Sequence, residues 1–144
     1  MSNGEKNADN NRLECVDMYY NSDDGFDGYR SHDNELFYNR AWKNGMIEEG
    51  RMAPSGNGNG FKFGPWLAGG HLVVGNMAWS NERMQEGRYA KATGFDFNGG
   101  EDPITLYHNT AWDNELGFEF GSADHVLKNN LASNNDAGNR VNID

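Results

Sequence analysis

Short segments of alternating apolar and polar residues recur along this chain, and none is long enough to bury its own apolar side. Phe61-Lys62-Phe63, Phe95-Asp96-Phe97 and Phe118-Glu119-Phe120 each put two rings on one side of a strand and the middle residue on the other. A second pattern, Asn-x-Ala-Trp-x-Asn, occupies 39–44, 76–81 and 109–114, with a weaker copy at 130–135 and a degenerate one at 16–21. Three residues before the first Asn of the four clear copies stands an aliphatic: Leu36, Val73, Leu106 or Leu127. The glycines opening the second elements, Gly25, Gly60, Gly94, Gly117 and Gly138, are 35, 34, 23 and 21 residues apart. The basic unit is therefore 21–23 residues, and two units carry insertions of roughly a dozen.

Stacking such units in register solves the burial problem that one short strand cannot. It predicts aromatic columns (Phe26, Phe61, Phe95, Phe118, then Phe63, Phe97, Phe120, Val141), an alanine column, and asparagine columns at tight turns. Asparagine tolerates left-handed backbone angles there, and its amide can bond from coil to coil. The expected fold is all-β, a right-handed parallel β-helix of about five coils, with a tail at 1–11 and the solenoid over 12–144. A leucine-rich horseshoe would need Leu-x-x-Leu-x-Leu, and a calcium-binding β-roll Gly-Gly-x-Gly-x-Asp; neither pattern is present.

Composition agrees with a chain that turns often. Nineteen glycines and 21 asparagines argue against a helical bundle, since both residues disfavour helix interiors. The net charge of −10 makes nucleic acid an unsuitable partner and favours divalent cations. No apolar run approaches the ~20 residues of a membrane span. The start, 1–11, does not resemble a signal peptide, which leaves mature, truncated and cytosolic forms open. A single cysteine, Cys15, excludes an internal disulfide framework.

The candidate chemistry lies on the outward side of the second element. Coils spaced ~4.8 Å apart would bring Asp27, Lys62, Asp96, Glu119 and Arg140 into one outward column. Such a column can be a solvated charge ladder that stabilises coil pairing. Asn21-Ser22-Asp23-Asp24-Gly25-Phe26-Asp27 adds three carboxylates within five residues, beside the coil of Lys62. Their mutual repulsion invites a cation, and calcium takes six to eight hard oxygens in flexible geometry. An Asp-rich turn with Asx-type bonds is the simpler alternative.

Taken in order, NSDDGFD, NRAW, GNGFKFG, NMAW, TGFDFN, PITLYHNTAWDN and HVLKNN resemble the pectate lyases of polysaccharide lyase family 9, from about Leu13 to Asn135. The resemblance implies a right-handed parallel β-helix that cleaves polygalacturonate by β-elimination. It implies calcium as cofactor with Asp23, Asp24 and Asp27 as ligands, and Lys62 as the base. It also implies an anionic polysaccharide partner (pectin) and a secreted location; a monomer is expected. Arg30, Arg88 and Lys91 are candidate clamps for sugar carboxylates, as are Arg51 and Arg83 in the insertions, because guanidinium forks suit that role; solvated loop charges are the simpler alternative. Trp42, Trp79 and Trp112 are expected as a ladder packing coil on coil, with sugar stacking as the alternative.

The family's further calcium-binding aspartate would fall one coil before Asp23, at or before Met1. Neither Asp9 nor Asp17 sits in a matching motif, and no amphipathic helix caps either end, so an incomplete solenoid is expected. A non-catalytic carbohydrate-binding or structural β-helix, or a calcium-stabilised adhesin-like segment, stands beside the enzyme as an alternative.

Overall fold

The computed structural model describes residues 8–66, 68–83, 92–121 and 124–139, and they wind as a right-handed parallel β-helix. The first coil holds β1 (Arg12–Glu14), β2 (Asp17–Tyr19) and β3 (Phe26–Asp27). The second holds β4 (Glu35–Phe37), β5 (Arg40–Trp42), β6 (Met46–Glu48), β7 (Arg51–Met52) and β8 (Phe61–Lys62). β9 (Leu72–Val74), β10 (Met77–Trp79) and β11 (Thr93–Asp96) form the third, and β12 (Thr105–Tyr107), β13 (Thr110–Trp112) and β14 (Leu116–Glu119) the fourth. The fifth contributes β15 (Val126–Lys128) and β16 (Leu131–Ser133).

Corresponding strands pair in parallel as three sheets, β1-β4-β9-β12-β15, β2-β5-β10-β13-β16 and β3-β8-β11-β14. The inserted β6–β7 pair is antiparallel and lies within the 45–56 insertion predicted from the repeat. Register follows the motif copies: Leu36 faces Val73, Ala78 faces Ala41 and Ala111, and Phe95 faces Phe61 and Phe118.

Phe61, Phe95 and Phe118 are fully buried and lie flat on one another at 4.9 Å per step. Flat stacking of identical rings follows from the coil spacing, which leaves no room for an edge-to-face arrangement. Ala41, Ala78, Ala111 and Ala132 abut the glycines that precede each phenylalanine, Gly25, Gly60, Gly94 and Gly117. A Cβ on Gly60 would meet Ala78 Cβ at 2.7 Å and Gly94 O at 2.7 Å, so Gly60 is required by space. Tyr19, Trp42 and Trp79 stack on the outer side of the second sheet at 4.5 and 4.8 Å, so the ladder expected of the tryptophans holds for Trp42 and Trp79, while Trp112 does not join the stack and stays 45% exposed.

Two buried asparagine ladders run the length of the solenoid. Asn39, Asn76, Asn109 and Asn130 pass amide bonds from coil to coil at 2.9, 3.0 and 3.0 Å. Asn21, Asn44, Asn81, Asn114 and Asn135 do the same at 2.9, 3.0, 2.8 and 3.1 Å. Their predicted role as the left-handed residues needs correction. The positive φ falls one position earlier, at Tyr38, Gly75, His108 and Asn129 and at Tyr20, Lys43, Ser80, Asp113 and Asn134. The corner residue points out to solvent, and the next residue then turns its amide inward, where the buried backbone needs partners.

Candidate functional site

β3, β8, β11 and β14 bring Asp27, Lys62, Asp96 and Glu119 into one column, because Asp27 and Asp96 both pair in register with Lys62 and Asp96 with Glu119. Arg140, expected at the end of the column, lies outside the described residues. Lys62 Nζ donates to Asp24 Oδ2 at 2.9 Å and to Asp27 Oδ2 at 3.1 Å. The amine thus meets two of the three aspartates that the sequence singled out. Asp23 turns aside and accepts the backbone N–H of Asn57 at 2.6 Å.

An exposed strip was expected here, yet Lys62 retains only 7% of its exposure. The inserted segment explains this. After β7 the chain returns through Gly56, Asn57, Gly58 and Asn59, and Asp24 accepts the Asn59 N–H at 3.0 Å. Gly58 has φ +70, and a Cβ placed there would collide with Glu82 O, so no side chain could replace it. The returning segment is therefore stitched onto the aspartate turn, and Asp24's side chain is 1% exposed.

Asn59 is a residue the repeat did not single out. It is buried, its Oδ1 accepts the Thr93 N–H at 2.8 Å, and its amide nitrogen lies 3.5 Å from Asp96 Oδ2. It therefore links the aspartates on one side of Lys62 to Asp96 on the other. The signal for it was the Gly-Asn-Gly-Phe-Lys string, in which Asn59 stands three residues before the amine.

Burial dominates the electrostatics. It pushes Asp24 up to about 6, although Lys62 and the Asn59 N–H pull the other way. Burial also pushes Asp96 up to about 7, opposed by the Asn98 N–H and reinforced by Glu119 and Asp24. For Lys62, burial acts to lower the pKa, but Asp24 and Asp27 together outweigh it and hold the amine above its ordinary value. The result is a nearly dry ammonium surrounded by more carboxylate than it can neutralise.

That excess, and an all-oxygen donor set of Asp23, Asp24 and Asp27, fit a hard cation such as calcium in chemistry and charge. Among the described residues, no group of three or more His, Cys, Asp or Glu side chains is already arranged around a common point. Of the other candidates, Arg30 lies just past β3, with its guanidinium 5.3 Å from the Tyr29 ring and 5.1 Å from Trp66. Arg51 pairs with Glu48 inside the β6–β7 insertion at 2.6 Å. Arg88 and Lys91 lie outside the described residues. Asp17 pairs with Arg40, and Asp9 accepts the His32 N–H, so both serve neighbouring coils. An apolar cavity of about 330 Å³ opens on the second sheet, lined by Met77, Trp79, Thr110, Trp112 and Leu131 among others, away from these charges.

A family profile described as "Pel9A-like, right handed beta helix region" matches residues 3–139. Pectate lyase L of Dickeya dadantii (strain 3937) is 32% identical over 135 residues, which is 89% of this chain and 30% of that protein. Pectate lyase L of Paenibacillus polymyxa (strain SC2) is 31% identical over 130 residues, 85% of this chain and 27% of that protein. Pectate lyase PEL9 of Emericella nidulans is 35% identical over 96 residues, 66% of this chain and 22% of that protein. The chain spans less than a third of the length of these relatives. No solved structure gives a significant match.

Proposed function

Because the chain belongs to the Pel9A-like right-handed β-helix family, we propose that it acts as a calcium-dependent pectate lyase. It cleaves polygalacturonate by β-elimination, with Lys62 as the base. The observation that carries this reading is the convergence of Asp24 and Asp27 on the Lys62 amine, at 2.9 and 3.1 Å.

The C5 proton of a galacturonate is weakly acidic, since the adjacent carboxylate is already negative. Calcium held by Asp23, Asp24 and Asp27 would supply charge neutralisation for that carboxylate. Neutral Lys62 Nζ takes the C5 proton. The electron pair left behind forms the C4–C5 double bond, the C4–oxygen bond breaks, and the leaving oxygen takes a proton from water. Lys62 must be uncharged for this step, and the carboxylates around it favour the charged form, so the activity is expected to rise toward alkaline pH. Arg30, Arg88 and Lys91 are the candidate clamps on neighbouring sugar carboxylates. The polymer substrate places the protein outside the cell.

One observation favours a second reading. Lys62 already has two carboxylate partners, as a structural charge ladder would provide, so a non-catalytic carbohydrate-binding β-helix would also fit. The test is incubation with polygalacturonate, with calcium or with chelator, following absorbance of the unsaturated product. A calcium-dependent rise that disappears in Lys62→Ala supports the lyase. A flat trace from folded, calcium-loaded protein leaves the binding module.

A further inference from the structure

In two columns of the solenoid, aromatic rings from successive coils cover one another. Phe61, Phe95 and Phe118 lie within 8° of parallel, and Trp42 and Trp79 within 4°. Tyr29 and Trp66, in the turns after β3 and β8, meet edge to face instead. Their rings sit 5.7 Å apart at 62°, and they remain 47% and 55% exposed. The Arg30 guanidinium lies within about 5 Å of both rings, at 5.3 and 5.1 Å, in a protein whose net charge is −10.

This cluster is tied to the Lys62 column by a single carboxylate. Asp27 presents Oδ2 to Lys62 Nζ at 3.1 Å and Oδ1 to the Tyr29 N–H at 3.1 Å. From the other side, the Arg30 N–H reaches Pro65 O at 3.4 Å, next to Trp66. The two turns that follow β3 and β8 are thus joined where they leave the charged column.

We propose that Tyr29, Arg30 and Trp66 form a binding subsite for one uronate residue of an acidic polysaccharide, immediately beside Lys62. The identity of the sugar rests on the pectate-lyase reading above. A uronate ring carries an apolar C–H side and one carboxylate. The cluster offers open aromatic surface for the first and a guanidinium fork for the second. A neutral sugar would use only the rings, and a simple anion only the guanidinium, so the combination selects an acidic sugar.

The experiment titrates the Lys62→Ala protein, which cannot turn over, with trigalacturonate, following tryptophan fluorescence and calorimetry. The methyl-esterified trisaccharide serves as the uncharged comparison. Trigalacturonate is expected to bind and to change the Trp66 emission. Arg30→Gln and Trp66→Ala should each weaken binding about tenfold, while Arg30→Lys recovers part of the loss and Trp112→Ala changes nothing. Equal affinity for the ester overturns the proposal, as does unchanged affinity in both folded variants or no binding at all. The two readings fail separately. Binding without turnover in the parent protein removes the lyase and leaves the subsite. Turnover with KM unchanged in Arg30→Gln and Trp66→Ala removes the subsite and leaves the lyase.

Discussion

Replacing Lys62 with methionine separates what the amine does for the fold from what it does for the reaction. Methionine keeps most of the volume and removes the charge that faces Asp24 at 2.9 Å and Asp27 at 3.1 Å. Asp27 is partly open to water and adjusts, whereas Asp24's side chain is 1% exposed and loses its counter-charge. Breaking a buried pair from one side costs roughly 3–5 kcal/mol. Asp24 can escape by taking up a proton; with its folded pKa already about 6, that step costs only about 1.4 kcal/mol at pH 7, which caps the loss. The expected destabilisation at pH 7 is therefore about 1–2 kcal/mol, read from urea unfolding. A carboxyl whose folded pKa is raised destabilises the fold as pH climbs, so the deficit should shrink in acid. The rate should fall roughly a hundred- to ten-thousandfold, as for loss of a general base. Adding Asp24→Asn, which keeps an acceptor for the Asn59 N–H, should restore most of the stability and none of the rate. A single variant with the parent's stability at pH 7 and the parent's pH dependence would show that Asp24 does not depend on the amine. A double variant with recovered turnover would remove Lys62 as base.

Asp96→Asn should stabilise the protein at pH 8 and leave it unchanged near pH 3. Burial raises the folded Asp96 pKa to about 7, so the native carboxylate costs stability as pH rises, and an amide escapes that cost; equal unfolding midpoints at pH 8 would contradict this. His71 accepts the Asn34 N–H through Nδ1 at 3.2 Å, and burial lowers its pKa to about 4. Its contribution is complete above its ordinary pKa of ~6.5 and is lost as pH falls toward 4, by roughly 3 kcal/mol, so His71→Asn should flatten the acid limb of a stability–pH curve. Asn76→Ala deprives the Asn39 N–H and amide and Leu36 O of partners, and roughly 3–6 kcal/mol should be lost in a urea melt, against less for Asn130→Ala nearer the end of the ladder.

The winding, the coil register and the outward column of Asp27, Lys62, Asp96 and Glu119 could all be read from the chain. In a solenoid each coil touches its neighbours at equivalent positions, so spacing along the sequence translates directly into height along the axis. Phe-x-Phe assigned inside and outside by strand alternation, and the Asn-x-Ala-Trp-x-Asn copies aligned the sheets. What periodicity could not supply was the path of residues that break it. The 45–59 segment belongs to no repeat, yet its return over the coil buries Lys62, captures Asp23 and Asp24 through the Asn57 and Asn59 amides, and links Asp96 to them. The left-handed corners one residue ahead of each ladder asparagine, and the meeting of Tyr29, Arg30 and Trp66, likewise depend on how turns from adjacent coils pack. Short-range pattern determined which residues share a column; three-dimensional packing of the insertions and turns decided which of them are dry, charged and in contact.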